Sequence, residues 1–133
     1  MTGGQKVVID TNILVSALWS ENGHSATIIS MIPTDIIPVI NDAIIKEYSE
    51  VLNRPKFAFS VSKRENLLAI IKDFGEVIIP EKSGVLMSDE TDRIFYDTAM
   101  ASMATLITGN GKDYPDKPFI VTPVNFLRSI GMI

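Results

Sequence analysis

Residues 6–12 read KVVIDTN: the short apolar run Lys6, Val7, Val8, Ile9, largely β-branched, passes directly into polar Asp10, Thr11 and Asn12. Branched side chains pack well on a pleated sheet, whereas Asp, Thr and Asn are favoured where a helix begins. The stretch therefore predicts a buried strand over residues 6–9 that ends in helix-capping chemistry, with a first helix over 13–19. The same alternation continues downstream. A helix is expected over 26–31, then a strand over 36–40 (IIPVI), whose proline places it near a sheet edge. Asn41 or Asp42 caps a helix that runs to Leu52, where Arg54 and Pro55 stop it. Residues 62–74 resume helical spacing through Leu67, Leu68, Ile70 and Ile71, and Gly75 closes that helix. Strands over 77–79, 105–108 and 119–121, with helices over 92–103 and from Thr122-Pro123 to Ile130, complete the pattern. Strands alternating with helices imply a parallel α/β sheet covered on both faces, with function gathered at the carboxyl ends of the strands.

Composition narrows the chemistry. The 133 residues are 46% hydrophobic and 21% charged, with no cysteine, which fits one domain over 1–133 and excludes disulfide scaffolds, thiolate metal sites and cysteine nucleophiles. The one histidine, His24, lies in a polar loop and cannot alone support a catalytic triad or a histidine-rich metal site. No apolar run approaches the roughly 20 residues that cross a bilayer, so a soluble cytoplasmic protein without membrane contact is expected. Residues 1–5 (MTGGQ) lack the cationic and apolar regions of a signal peptide and resemble part of an expression-tag leader, so they are expected to be a disordered or tag-derived segment outside the fold. A net charge of −4 argues against a broad phosphate-binding surface.

Carboxylates then single themselves out. Asp10 stands at the carboxyl end of the first strand, where a helix cap and a ligand are about equally expected. Glu47 lies at the edge of the helical stripe formed by Ile44, Tyr48, Val51 and Leu52, a costly place for a charge unless it is paired, metal-bound or able to reach water. Asp92 opens the helix that carries Phe95, Ala99 and Met103 on the same face, although Asp89, Glu90 and Asp92 also suit any helix start. Asp97 falls well round the wheel from Asp92 and ranks second. Asn110 and Asp113 occupy the glycine-rich loop after TLIT, at the same sheet edge, where turn chemistry alone would also place them. Four carboxylates from four segments would repel one another and shift their pKa values, and a shared cation resolves that repulsion. Oxygen ligands without His or Cys favour Mg²⁺ or Mn²⁺, one ion or two.

Taken in order and spacing, these motifs resemble the PIN domain family, and within it the single-domain VapC-like ribonucleases that act as toxins in toxin-antitoxin systems. The resemblance covers nearly the whole chain. VVIDTNILVSAL is similar to the family's opening strand with its first acidic residue, here Asp10, followed by Thr11 and Asn12; IIKEYSEVLNRPKF is similar to the helix carrying the second, Glu47. DETDRIFYDTAMASMATLITGNGKDYP resembles the acidic helix start, small-residue helix and fourth-strand motif, which implies Asp92 as the third acidic residue and Asp113 as the fourth, with Asn110 in support. IVTPVNFL resembles the closing segment. Many relatives carry Asp where this chain has Asn110, and Asp97 matches an acidic position common in the group. The implied fold is a three-layer α/β/α sandwich around a parallel sheet of about five strands.

The implied activity is metal-dependent hydrolysis of single-stranded RNA or exposed RNA loops. Asp10, Asp92 and Asp113, with Glu47 directly or through water, would hold the metal, and in a two-metal site they must converge on ions ~3.5–4 Å apart. Thr11 and Asn12 would fix Asp10 or contact a phosphate. Arg54, Lys56, Lys63, Arg64 and Lys112 are the candidates for holding the RNA backbone. No sequence-reading aromatic platform is evident, so target choice is expected to depend on RNA shape. Two competitors are a strand-end aspartyl phosphatase, which would need an Asp where Asn12 stands, and a catalytically silent RNA- or protein-binding module, which would lack some of the acidic positions.

The resemblance further implies a cognate antitoxin and a homodimer or tetramer, and Trp19, Ile28, Ile29, Met31 and Met132 are the candidates for an exposed apolar patch, although core burial accounts for most of them equally well. Setting aside the four acidic candidates leaves 12 acidic residues against 12 basic, so the negative excess equals the site. RNA binding is then expected to be weak, salt-sensitive and dependent on metal.

Overall fold

The computed structural model describes residues 4–133. The chain runs β1 (Gln5–Ile9), α1 (Thr11–Trp19), α2 (His24–Ser30), β2 (Ile36–Ile40), α3 (Asp42–Leu52), α4 (Val61–Phe74), β3 (Glu76–Val77), α5 (Arg93–Ser102), β4 (Thr105–Ile107), β5 (Ile120–Val121) and α6 (Pro123–Ser129). Short 3-10 turns occupy Pro55–Phe57, Glu90–Asp92 and Gly111–Asp113.

All five strands are parallel, in the order β3-β2-β1-β4-β5. The chain builds outward from β1 through β2 to β3, then returns to the other side of β1 for β4 and β5. Strand order therefore reverses at β1, and in open α/β sheets the crevice at such a reversal is where ligands bind. Successive residues of a strand point to opposite faces, so the complete burial of Val7, Val8 and Ile9 shows that helices cover both faces of β1. This is the three-layer α/β/α sandwich. Helix α5 packs on β1, β2 and β4, α4 packs on β2, and α3 touches α1, α4 and α5.

Local chemistry sets the helix ends. Asn41 caps α3 by accepting from the Ile44 amide at 3.0 Å, and its own amide nitrogen donates to the Ile78 carbonyl and to Thr98 Oγ1, both at 2.9 Å. Ser60 caps α4 through the Lys63 amide, and Thr122 caps α6 through the Asn125 amide. Gly75 ends α4 for want of room. A Cβ there would lie 2.6 Å from Ile40 Cδ1 and from the Ile71 carbonyl oxygen.

Four expectations need correction. Strand β2 is interior, between β3 and β1, despite Pro38. Its Ile40 carbonyl accepts from Ile78 on the β3 side, so by the alternation of a strand the Pro38 nitrogen faces that side too. Pairing with β3 begins only at Val39 opposite Glu76, and no bond is lost. Gln5 does not belong to a segment outside the fold: it opens β1 opposite Ile36 and its side chain donates to Thr105 Oγ1 at 3.2 Å, while residues 1–3 of the expected leader lie outside the described residues. Gly4 sits so close to the Asp35 backbone that a Cβ would clash at 2.7 Å. His24 is not in a loop but is the first residue of α2. In the expected apolar patch, Ile28 and Met31 are core residues and Ile29 is half-buried, whereas Trp19 and Met132 are exposed. Among the described residues no helix is long and apolar enough to cross a membrane.

Candidate active site

Asp10 follows the fully buried end of β1, and its amide donates to the Ile107 carbonyl at 3.0 Å, extending the β1–β4 ladder by one residue. That bond seats Asp10 beside Thr108. Although Asp10 precedes α1, its side chain makes no capping hydrogen bond. The hydroxyls of Thr108 and Tyr114 instead donate to the same oxygen, Oδ2, each at 2.8 Å. Burial, to 6% exposure, pushes the Asp10 carboxyl up, while these two hydroxyls and the Thr11 and Asn12 amides hold it down. Burial beside Asp10 raises the Tyr114 hydroxyl, which stays protonated as a donor. From α3, buried Tyr48 donates to the Ile9 carbonyl and fixes the strand end itself.

Around Thr108 the polar groups form one small network. Its hydroxyl donates to Asp10 and accepts from the Asn110 amide at 3.0 Å and from Asn12 Nδ2 at 3.4 Å. Asn12 Oδ1 accepts from the Gly109 amide at 3.0 Å, tying the start of α1 to the loop after β4. Asn12 thus acts on Asp10 through Thr108, and Asn110 contributes its backbone, with its side chain at the exposed rim. The buried Thr11 hydroxyl has no hydrogen-bond partner among the described residues.

Three further carboxylates surround Asp10. Asp92, on the turn leading into α5, is pushed up to about 7, first by burial and then by repulsion from Asp10, Asp89, Asp113 and Glu47. Glu47 is raised by burial and by Glu50, Asp10 and Asp89, with Arg54 acting in the opposite sense. The structure therefore brings Asp10, Glu47, Asp92 and Asp113 into one electrostatic field. It does not bring them into contact: among the described residues no three acidic side chains are close enough to form a finished metal cage. This is looser than a two-ion site requires. The ion pairs found among the described residues, Lys6–Glu76, Lys63–Glu21 and Arg93–Glu90, leave all four carboxylates without a direct basic partner.

Asp97 stands elsewhere. Its Oδ2 accepts from the Ser83 amide at 3.1 Å, and its buried Oδ1 has no partner. One turn earlier, Arg93 donates to the Ser83 and Val85 carbonyls at 2.8 and 2.6 Å while pairing with Glu90. Together they strap the long 78–89 segment onto α5, just ahead of Asp89 and Asp92. Among the basic candidates, Arg54, Lys56 and Lys112 are exposed, Lys63 pairs with exposed Glu21 at 3.6 Å, and Arg64 donates to the Phe59 carbonyl.

Sequence reasoning missed Thr108 and Tyr114, and read Asp89 only as part of an acidic helix start. Thr108 left a readable signal, a polar residue closing the buried TLIT run at the same sheet edge as Asp10. Tyr114 left none, because only the fold sets it beside the site.

Comparison with known proteins agrees with this architecture. The PIN domain family matches residues 6–112. An uncharacterized protein of Methanocaldococcus jannaschii is 32% identical over 109 residues, covering 79% of this chain and 70% of its own length. Two solved structures share the fold. VapBC2 from Rickettsia felis, bound to a DNA fragment from its promoter, aligns with a TM-score of 0.57 at 18% identity, over 89% of this chain and 97% of that one. VapBC-1 from nontypeable Haemophilus influenzae aligns with a TM-score of 0.54 at 15% identity, over 82% and 90%.

Proposed function

This chain belongs to the PIN domain family, and on that premise we propose that it is a cytoplasmic metal-dependent endoribonuclease, the toxin of a type II toxin-antitoxin pair. One observation carries the reading. At the sheet's reversal point, Asp10 is buried and oriented by two hydroxyls, while Asp92 is driven to about 7 in a field of four other carboxylates. Such a cluster is costly to fold, and capping explains only Asp89, which accepts from the Thr91 amide.

The donor set suits Mg²⁺ or Mn²⁺: every available ligand is an oxygen, and Asp10, with two hydroxyls on Oδ2, keeps acceptor capacity to spare. Asp10, Asp92 and Asp113 would hold the ion, with Glu47 directly or through water. A bound divalent cation would supply activated water and charge stabilisation at the scissile phosphate. Thr108 and Tyr114 orient Asp10 and favour its ionised form. Asp92, titrating near neutrality, must shed its proton before it can offer a ligand, so occupancy falls at low pH. Burial and neighbouring carboxylates raise the Glu47 carboxyl, and Arg54, just beyond the end of its helix, opposes that rise where an RNA backbone would enter.

The structural neighbours support an antitoxin partner through the VapBC complexes they represent. Asn12, committed to Thr108 and Gly109, offers no second acid for a phosphatase. The test is a mixed RNA pool with Mn²⁺ or Mg²⁺, comparing the native chain, Asp10→Asn and added chelator. Cleavage lost in both controls is expected. Cleavage indifferent to both sinks the metal-nuclease reading, and no cleavage by the native chain leaves the silent module.

A further inference from the structure

The end of α1 and the link between α3 and α4 meet at an aromatic cluster in which Phe57 and Phe59 are half-buried against the core and Trp19 is exposed. Trp19, 65% exposed, lies edge-on to Phe57 with ring centroids 5.2 Å apart and to Phe59 at 6.1 Å. Phe57 and Phe59 stack on each other at 5.4 Å. Residues 53–64 (NRPKFAFSVSKR) supply both phenylalanines together with Arg54, Lys56, Lys63 and Arg64, and contain no acidic residue in a chain whose net charge is −4. Lys56 Nζ sits 5.2 Å from the Phe57 ring centre. Arg64 holds the Phe59 carbonyl at 3.0 Å, which fixes the link. Lys63 is tied to Glu21 by an exposed pair of the kind worth little, and so readily exchanged for a phosphate.

We propose that this face is a stacking platform for the unpaired bases of single-stranded RNA, from which the strand passes Arg54 to reach the carboxylates. Open aromatic rings flanked by cations hold single strands with little sequence preference, because every base offers a π-face and every nucleotide a phosphate. The concentration of positive charge on an otherwise acidic chain favours a nucleic acid over an apolar protein segment. Arg54 directly follows α3, the helix that carries Glu47, so one end of the track begins on the element that borders the site. Trp19 is remote in sequence from Phe57 and Phe59, and only the fold assembles the three. The inference rests on the ribonuclease reading for its substrate.

Trp19 is the one tryptophan, so its emission reports on this face alone. The experiment uses the Asp10→Asn chain, which leaves RNA uncut, and an oligoribonucleotide of about 12 nucleotides, within the span such surfaces occupy. Saturable quenching by the single strand is expected, with little quenching by the same strand in a duplex. Added to that chain, Trp19→Leu is expected to weaken binding of labelled RNA about tenfold, equivalent to about 1.4 kcal/mol, and Trp19→Phe to recover most of it. Equal affinity in Trp19→Leu, together with undisturbed Trp19 emission when RNA is added to the Asp10→Asn chain, overturns the proposal. Shielding of Trp19 from acrylamide by a co-purified protein but never by RNA also overturns it, in favour of a protein interface. Stacking without cleavage by the native chain keeps the platform and removes the nuclease reading; Asp10-dependent cleavage with Trp19 unaffected does the reverse.

Discussion

Replacing Thr108 by valine removes one hydroxyl and almost no volume at a fully buried position. The bond lost is the 2.8 Å donation to Asp10, and hydrogen bonds to charged groups contribute about 1.5–3 kcal/mol. Its other partners, the Asn110 amide and Asn12 Nδ2, lie near solvent and can turn to water, so they add little. Thr108→Val is therefore expected to cost about 2 kcal/mol at neutral pH, or about 6–10 °C in Tm for a chain of this size. The bond favours the ionised carboxylate, so its loss raises the Asp10 pKa further. The deficit is full above the Asp10 titration and shrinks as pH falls through it, because a protonated carboxyl has less to lose. Groups that orient a metal ligand typically account for about 10–100-fold in affinity, and a loss in that range is expected for Mn²⁺. Thr108→Ser keeps the hydroxyl and loses a methyl, costing about 1 kcal/mol with near-native Mn²⁺ affinity. Calorimetric melting and Mn²⁺ titration of both variants provide the check. Equal Mn²⁺ affinity in the valine and serine variants would refute the claim that Thr108 acts through its hydroxyl on Asp10.

Other consequences can be measured directly. Asp92 holds its proton to about 7 when folded, against 3.8 in its unperturbed state, so the unfolded chain ionises first and stability drains away as pH rises across that window. Partial exposure screens the effect to about 1 kcal/mol; urea unfolding across the window is expected to show this slope in the native chain and a flatter one in Asp92→Asn, with divalent cation suppressing the native slope. Asp97→Ala frees the Ser83 amide, so hydrogen exchange over residues 83–87 is expected to quicken about tenfold as the strap loosens. Mn²⁺ affinity in that variant should change by less than about threefold, and a larger loss would make Asp97 a ligand after all. Gly75→Ala drives a Cβ into Ile40 and the Ile71 carbonyl, and a stability loss of about 2 kcal/mol is expected on thermal unfolding.

The sheet was legible because its strands are short apolar runs bounded by polar caps. KVVI followed by DTN located β1 and the start of α1, and Asn41 announced α3 through a cap that the structure shows as a hydrogen bond. Pro38 misled because proline is excluded from a ladder only where its nitrogen would have to donate, and β3 begins one residue too late for that. Of the site, the helical wheel correctly put Glu47 at the margin of the core and Asp97 away from Asp92. The wheel could not say what Asp97 does, since the 78–89 segment it holds has no periodicity to read. Nor could spacing decide whether Asp10 was a cap or something else. That distinction belongs to Thr108 and Tyr114, remote in sequence and adjacent only across β4 and the loop beyond it.

That Asp10, Glu47, Asp92 and Asp113 form one cation site is tested most directly by Mn²⁺ titration of the native chain and of four variants, each with one carboxylate changed to its amide. The prediction is native binding that weakens in every one of the four, while Asp97→Asn remains near native. Native Mn²⁺ affinity no greater than that of Asp10→Asn, or loss confined to a single variant, would contradict it.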